Sequence, residues 1–157
     1  MKPIGLKELK AELSTLSPGK LAEICIRFAR YKKENKELLT YLLFQSADEG
    51  AYIAEVEYYI SDQFEELNNS NMYLTKKMLR KILKTTNRYI KYSGSKQTEV
   101  ELLMFFCRKL KDSGIPFQSN KPLLSIYERL IQRIDKTIHT LDEDLQYDYS
   151  KEMEGLI

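Results

Sequence analysis

The residues that most readily interrupt a helix stand between stretches of helical spacing and never inside one. Gly5, the Pro18-Gly19 pair, Gly50, Gly94, Gly114 with Pro116, and Pro122 mark the boundaries. No stretch between them alternates apolar and polar residues in the way a half-buried strand must. The pattern predicts an all-α, single-domain bundle of six to seven helices, placed near 6–15, 18–34, 36–47, 51–67, 74–93, 97–112 and 122–147. The last of these is a long C-terminal helix, so the bundle occupies 1–147 and an acidic tail, 148–157, is expected to fray. Ser17 is placed to cap the second helix, with Pro18 at the first helical position where its missing N–H leaves nothing unsatisfied. A short solenoid would need a self-similar repeat, and none is present.

At 157 residues the chain fits one domain that buries roughly two-thirds of its unfolded surface, so neither disulfide nor metal is required to hold it. Two widely separated cysteines and the absence of an apolar run behind Met1-Lys2 point to a reduced, cytoplasmic setting. There the Asn68-Asn69-Ser70 sequon has no consequence. The longest apolar stretch, Leu102 to Cys107, is too short to span a bilayer.

The net charge of +2 conceals a segregation. Residues 37–66 hold eight Asp or Glu and no Lys or Arg; residues 67–98 hold eight Lys or Arg and no Asp or Glu. Helical spacing sorts each block into two faces. In the fourth helix Ile53, Val56, Ile60, Phe64 and Leu67 share one side, opposite Glu55, Asp62 and Glu66, which form a candidate acidic contact face. In the fifth, Met78, Leu79, Ile82, Leu83, Thr86, Tyr89 and Ile90 point inward and Lys77, Arg80, Lys84, Arg88 and Lys91 form an outward stripe. Tyr73 and Tyr92 lie near its ends as candidate stacking residues. Long cations that neutralise phosphates, beside tyrosines that stack on bases, suit nucleic acid. A solvated or partner-facing helix, an acidic protein or an anionic surface fits the same composition.

The last predicted helix carries a heptad seam, Leu124, Tyr127, Ile131, Ile134, Ile138, Leu141 and Leu145. Such a seam packs within a bundle or joins two copies of a chain.

The sequence offers little to chemistry. His139 is the only histidine, which excludes sites built on two or three histidine ligands. Its neighbours Asp135, Asp142 and Glu143 make it read as an exposed, ion-paired residue. Cys25 and Cys107 sit among apolar residues at helical spacing and are expected to be buried. Glu99 with Glu101, and Glu65 with Glu66, diverge on a helix and read as solvated. Gly94 stands alone, without a phosphate-loop pattern. No cofactor or small-molecule substrate is indicated.

The run Leu9-Lys10-x-x-Leu13-x-x-Leu16-Ser17-x-x-x-Leu21, then Tyr31 and Lys36-Glu37 before Leu38 to Phe44, resembles the opening of a family of small, all-helical bacterial proteins known only as a domain of unknown function. Arg88-Tyr89-Ile90-Lys91 looks similar to that family's middle helix. The resemblance covers roughly residues 6–112, without Pro18-Gly19 or the acidic tail. It implies an intracellular bacterial helical domain and brings no catalytic residue, ligand or partner with it. The expectation is a non-catalytic protein that acts through contacts with a protein partner or a second copy of itself, with nucleic-acid binding by the basic helix as the alternative.

Overall fold

A computed structural model describes residues 1–67 and 71–157, so the 68–70 sequon lies outside the described residues. Among the described residues the chain is entirely helical. Eight α-helices follow in order: α1 (Leu6–Ser14), α2 (Pro18–Tyr31), α3 (Lys33–Thr40), α4 (Glu49–Glu65), α5 (Met72–Ser93), α6 (Lys96–Asp112), α7 (Lys121–Ile138) and α8 (Glu143–Glu154). A π turn, Tyr41–Gln45, follows α3, and a 3₁₀ turn, Phe117–Ser119, precedes α7.

The chain divides into two compact units, Met1–Phe44 and Gln45–Ile157, where the sequence pattern suggested one bundle. The helix boundaries follow local chemistry in both. The Ser17 side chain accepts from the Lys20 N–H at 3.3 Å with Pro18 opening α2. Asp48, Asn71 and Ser95 cap α4, α5 and α6 in the same way. Gly94 ends α5 in the left-handed region at φ 69°, and Gly114 follows α6 at φ 70°; a side chain at either position would be strained.

The core belongs to the second unit. Helix α6 lies at its centre, packed against α4, α5 and α7, and buries Val100, Leu102, Leu103, Met104, Phe106, Cys107 and Leu110. Ile53, Val56 and Ile60 from α4, Leu79, Ile82 and Ile90 from α5, and Leu130, Ile134 and Ile138 from α7 complete it. Rings close the periphery edge to face: Phe64 on Phe106 at 5.4 Å and Tyr59 on Tyr89 at 5.7 Å between centroids.

The long C-terminal helix is corrected to two. Helix α7 stops at Ile138, and the chain turns through His139–Asp142 before α8 begins. Thr140 donates its hydroxyl to the Thr137 carbonyl at 2.7 Å, and Gln146 reaches back to the Leu141 carbonyl at 2.7 Å, so the turn satisfies its own backbone. The break also puts Glu143 and Asp144 in the first turn of a new helix, where the N-terminal dipole favours carboxylates.

The expected frayed tail is corrected too. Leu145, Tyr149, Met153 and Leu156 form an apolar stripe at near-helical spacing, and the last three are buried. Tyr149 donates its hydroxyl to Glu101, Tyr127 donates to the Leu156 carbonyl at 2.7 Å, and Arg108 meets Glu152 at 3.1 Å.

In the first unit α2 packs on α3 across a break one residue long, with Lys32 extended between them. Asn35 donates its side-chain amide to the Phe28 carbonyl at 2.9 Å and fixes the corner. Tyr41 is the only side chain of residues 1–44 that is buried.

Candidate functional site

The basic helix presents its stripe largely as the spacing predicts. Lys77, Arg80, Lys84 and Lys91 are exposed, and among the described residues none of these four makes an ion pair. They span about 21 Å along α5 at 1.5 Å per residue. Arg88 departs from the pattern: it is half-buried, with its guanidinium 5.7 Å from the centroid of the Tyr89 ring. Tyr73 is exposed at the start of α5, whereas Tyr92 is half-buried and tilted against Tyr89 at 6.0 Å. Of these two candidate stacking residues, Tyr73 is the exposed one.

Glu55 and Asp62 on α4, and Glu66 at its C-terminal cap, are exposed. Gln45 donates to Glu55 at 2.7 Å and Gln63 to Asp62 at 3.3 Å, so neutral amides hold part of this face. Glu57, beside it, is half-buried; burial raises its pKa, the Arg108 charge works against that, and the Glu101 charge adds to it.

The heptad seam serves the interior. Tyr127, Ile134 and Ile138 are buried, Leu124, Ile131, Leu141 and Leu145 are half-buried, and the break after Ile138 puts the last two on a different segment. Leu124, Tyr127 and Ile131 border an open groove of about 540 Å³ with Phe117, Leu156 and Ile157.

The first unit carries most of the exposed large apolar side chains among the described residues. Phe28 is 64% exposed, Tyr31 78% and Phe44 78%, and Ile26, Leu42 and Leu43 are exposed as well. Leu42, Leu43 and Phe44 are exposed in succession along the π turn. Between α2 and α3 runs an open groove of about 760 Å³ with Ile26, Ala29, Leu39, Leu43 and Phe44 along it and Arg30, Lys32, Lys33 and Lys36 at its edges. Helix α1 adds exposed Leu6, Leu9 and Leu13. Cys25 lies on this unit and is exposed, correcting the expected burial: its helical face is apolar, but no core covers it.

Three carboxylates, Glu99, Glu101 and Glu49, tie the helices of the second unit together; the spacing read the first two as solvated and did not single out the third. Glu99, expected to be solvated, is 8% exposed. Arg133 Nε donates to one of its oxygens at 2.7 Å and Lys96 Nζ to the other at 3.0 Å, while Arg133 also donates to Asn87 Oδ1 at 2.6 Å. Burial opposes ionisation of Glu99, but the hydrogen bonds and charges of Lys96 and Arg133 outweigh it and hold the carboxyl below the usual range. The signal was present: Glu99 stands three, four and seven residues before Leu102, Leu103 and Phe106, on the core face of α6. Glu101 accepts from Tyr149, whose phenol is pushed up by burial and by that carboxylate. Glu49 accepts from Ser93 and from Thr98 at 2.6 Å, tying the start of α4 to the α5–α6 corner.

His139 and Cys107 stand in different settings, one exposed and one buried. His139 is exposed, its Nδ1 2.7 Å from the Asp135 carbonyl and 3.8 Å from the Asp135 carboxylate. Cys107 is buried, and burial drives its thiol up to about 12, far from the thiolate a nucleophile requires. Among the described residues no group of three His, Cys, Asp or Glu side chains is placed to hold a metal ion, and no helix is long and apolar enough to cross a membrane. Comparison with protein-family models, with curated proteins and with solved structures finds no match to this chain.

Proposed function

We propose that this chain is a non-catalytic cytoplasmic protein that works through protein–protein contacts, made by the apolar surface of its first unit. The observation that carries the reading is the exposure of Ile26, Phe28, Tyr31, Leu42, Leu43 and Phe44 on a unit of 44 residues with one buried side chain. Soluble monomers rarely expose contiguous apolar surface beyond a few hundred Å², and aromatic residues are enriched where proteins meet. A photo-activatable side chain at Phe44 of the full chain, irradiated in cells, is expected to give discrete adducts that the same group at exposed Lys136 does not. Equal labelling from the two positions would sink the reading.

A second reading rests on the four unpaired cations of α5. Under it, labelled single- or double-stranded DNA or RNA binds at about 50 mM salt and loses orders of magnitude of affinity by about 200 mM, and each of Arg80→Ala and Lys84→Ala lowers the salt slope by about one. No anisotropy change at the lower salt removes this reading.

A further inference from the structure

We infer that the groove between α2 and α3 takes an acidic amphipathic helix of a protein partner; the inference rests on the reading of the first unit as a contact surface. Its middle is apolar, formed by Ile26, Ala29, Leu39, Leu43 and Phe44, and it offers no acidic side chain along its edges. Residues 18–44 hold six Lys or Arg against three Glu. Two of those glutamates face lysines of their own helices, Glu23 with Lys20 at 2.9 Å and Glu37 with Lys33 at 3.5 Å. Arg30, Lys32 and Lys36 make no ion pair among the described residues, and Lys32 sits 5.9 Å from the centroid of the Tyr31 ring. Three of the four edge cations therefore make no ion pair among the described residues, around an apolar middle, the arrangement that accepts a helix through apolar residues at i, i+3, i+4 and i+7 flanked by carboxylates.

Other occupants fit less well. A second copy docking through the same groove by two-fold symmetry would set the cationic edges of the two grooves against one another, and like charges at close range oppose association. The acidic helices of this chain cannot supply the insert: α4 has Tyr52, Ile53, Val56 and Ile60 buried in the second unit, and α8 has Tyr149 and Met153 buried there. Helix α1 has free leucines but balances two lysines with two glutamates. A polyanion without apolar groups would leave Leu39, Leu43 and Phe44 uncovered. The corner that aims the two walls is already set by the Asn35 bond to the Phe28 carbonyl, so little ordering is required on binding.

The test uses the full chain and three fluorescein-labelled synthetic helices of about 14 residues: one with Leu at i, i+3, i+4 and i+7 and Glu elsewhere, its twin with every Glu replaced by Lys, and an acidic scramble without the apolar stripe. The acidic amphipathic peptide is expected to bind at least about tenfold more tightly than either control, weakening as salt rises. Arg30→Gln with Lys36→Gln should weaken it by about tenfold, Leu43→Ser by a similar factor, and Arg80→Gln with Lys84→Gln not at all. These side chains are exposed, so circular dichroism should show each variant folded. Equal affinity for the basic twin, or dependence on Arg80 and Lys84 in place of Arg30 and Lys36, overturns the inference. Adducts from Phe44 that contain a second copy of this chain, or a partner segment without acidic residues, overturn it too while leaving the protein-contact reading standing; loss of position-specific adducts removes both.

Discussion

The two units obey the same helical grammar and use it to opposite ends. In residues 45–157 each amphipathic helix finds a neighbour, and α6 is buried along most of its length. In residues 1–44 α2 is capped by Ser17 and as amphipathic as the helices of the second unit, yet Tyr41 alone is buried and Phe28, Tyr31 and Phe44 stand outward. Amphipathicity therefore reports a face that must be covered and leaves open what covers it. The second unit answers from within its own sequence, through a core tied at its edges by Glu49, Glu99 and Glu101. The first buries one side chain of its own, and this asymmetry is why the proposed contact role is placed there.

The sharpest way to break that contrast is to remove the last helix. Truncation after Leu145 deletes Tyr149, Met153 and Leu156, all buried, along with the Tyr149 bond to Glu101 and the acceptor of the Tyr127 hydroxyl. Met153→Ala alone is expected to cost about 2–5 kcal/mol, and the truncation at least as much. The melting temperature should fall by about 10 °C or more. A truncated chain that melts where the full chain does would show that α8 contributes nothing to the second unit.

What the sequence revealed and what it concealed divide along the same line. Breakers and caps are local, so Ser17 with Pro18, Gly94 and Gly114 mark helix ends in the sequence as they do in the structure. Periodicity is local too, and it places Ile53, Val56, Ile82 and Ile134 on faces that prove to be buried. The break at His139–Asp142 was missed because the heptad spacing runs through it, while the cue lay in polar residues: Thr140 and the Asp142-Glu143-Asp144 run suit a new N-terminus better than a helix interior. Treating the tail as acidic hid the Leu145, Tyr149, Met153, Leu156 stripe. The fates of Cys25 and Glu99 are properties of partners distant in sequence, an absent core for one and Arg133 for the other. The basic stripe of α5 was legible apart from Arg88; the groove of α2 and α3 was not, because spacing alone cannot show that a face is left open.

The buried carboxylate at Glu99 sharpens the comparison at a single residue, since the first unit has no buried charged group to match it. Glu99→Ala should destabilise by about 2 kcal/mol, less than the ~3–5 typical of a broken buried pair because Arg133 is partly exposed and can recover water. The pH dependence has a definite sign. A carboxyl whose folded pKa lies below its unfolded value stabilises fully above the unfolded pKa, and that contribution disappears as pH falls through the folded one. Wild-type stability should therefore decline on the acid side of the usual carboxylate range, and Glu99→Gln should flatten that part of the profile. Parallel acid limbs in urea titrations of the two proteins would show that the Arg133 and Lys96 contacts do not hold the carboxylate.

At the other extreme lies Phe44, an aromatic residue whose loss should scarcely register in stability. It is exposed on the π turn, so Phe44→Ser removes little packing and is expected to change unfolding free energy by no more than about 0.5 kcal/mol. An equal truncation of Phe106, which is buried against Phe64, would cost about 3–5 kcal/mol. Denaturant midpoints of the two variants measure the difference between the units directly. If Phe44→Ser destabilises as a core substitution does, Phe44 is covered in solution and the first unit's surface is not free to bind. If stability holds while position-specific cross-linking from Tyr31 is lost, the side chain is retained for a contact outside the molecule, because nothing inside depends on it.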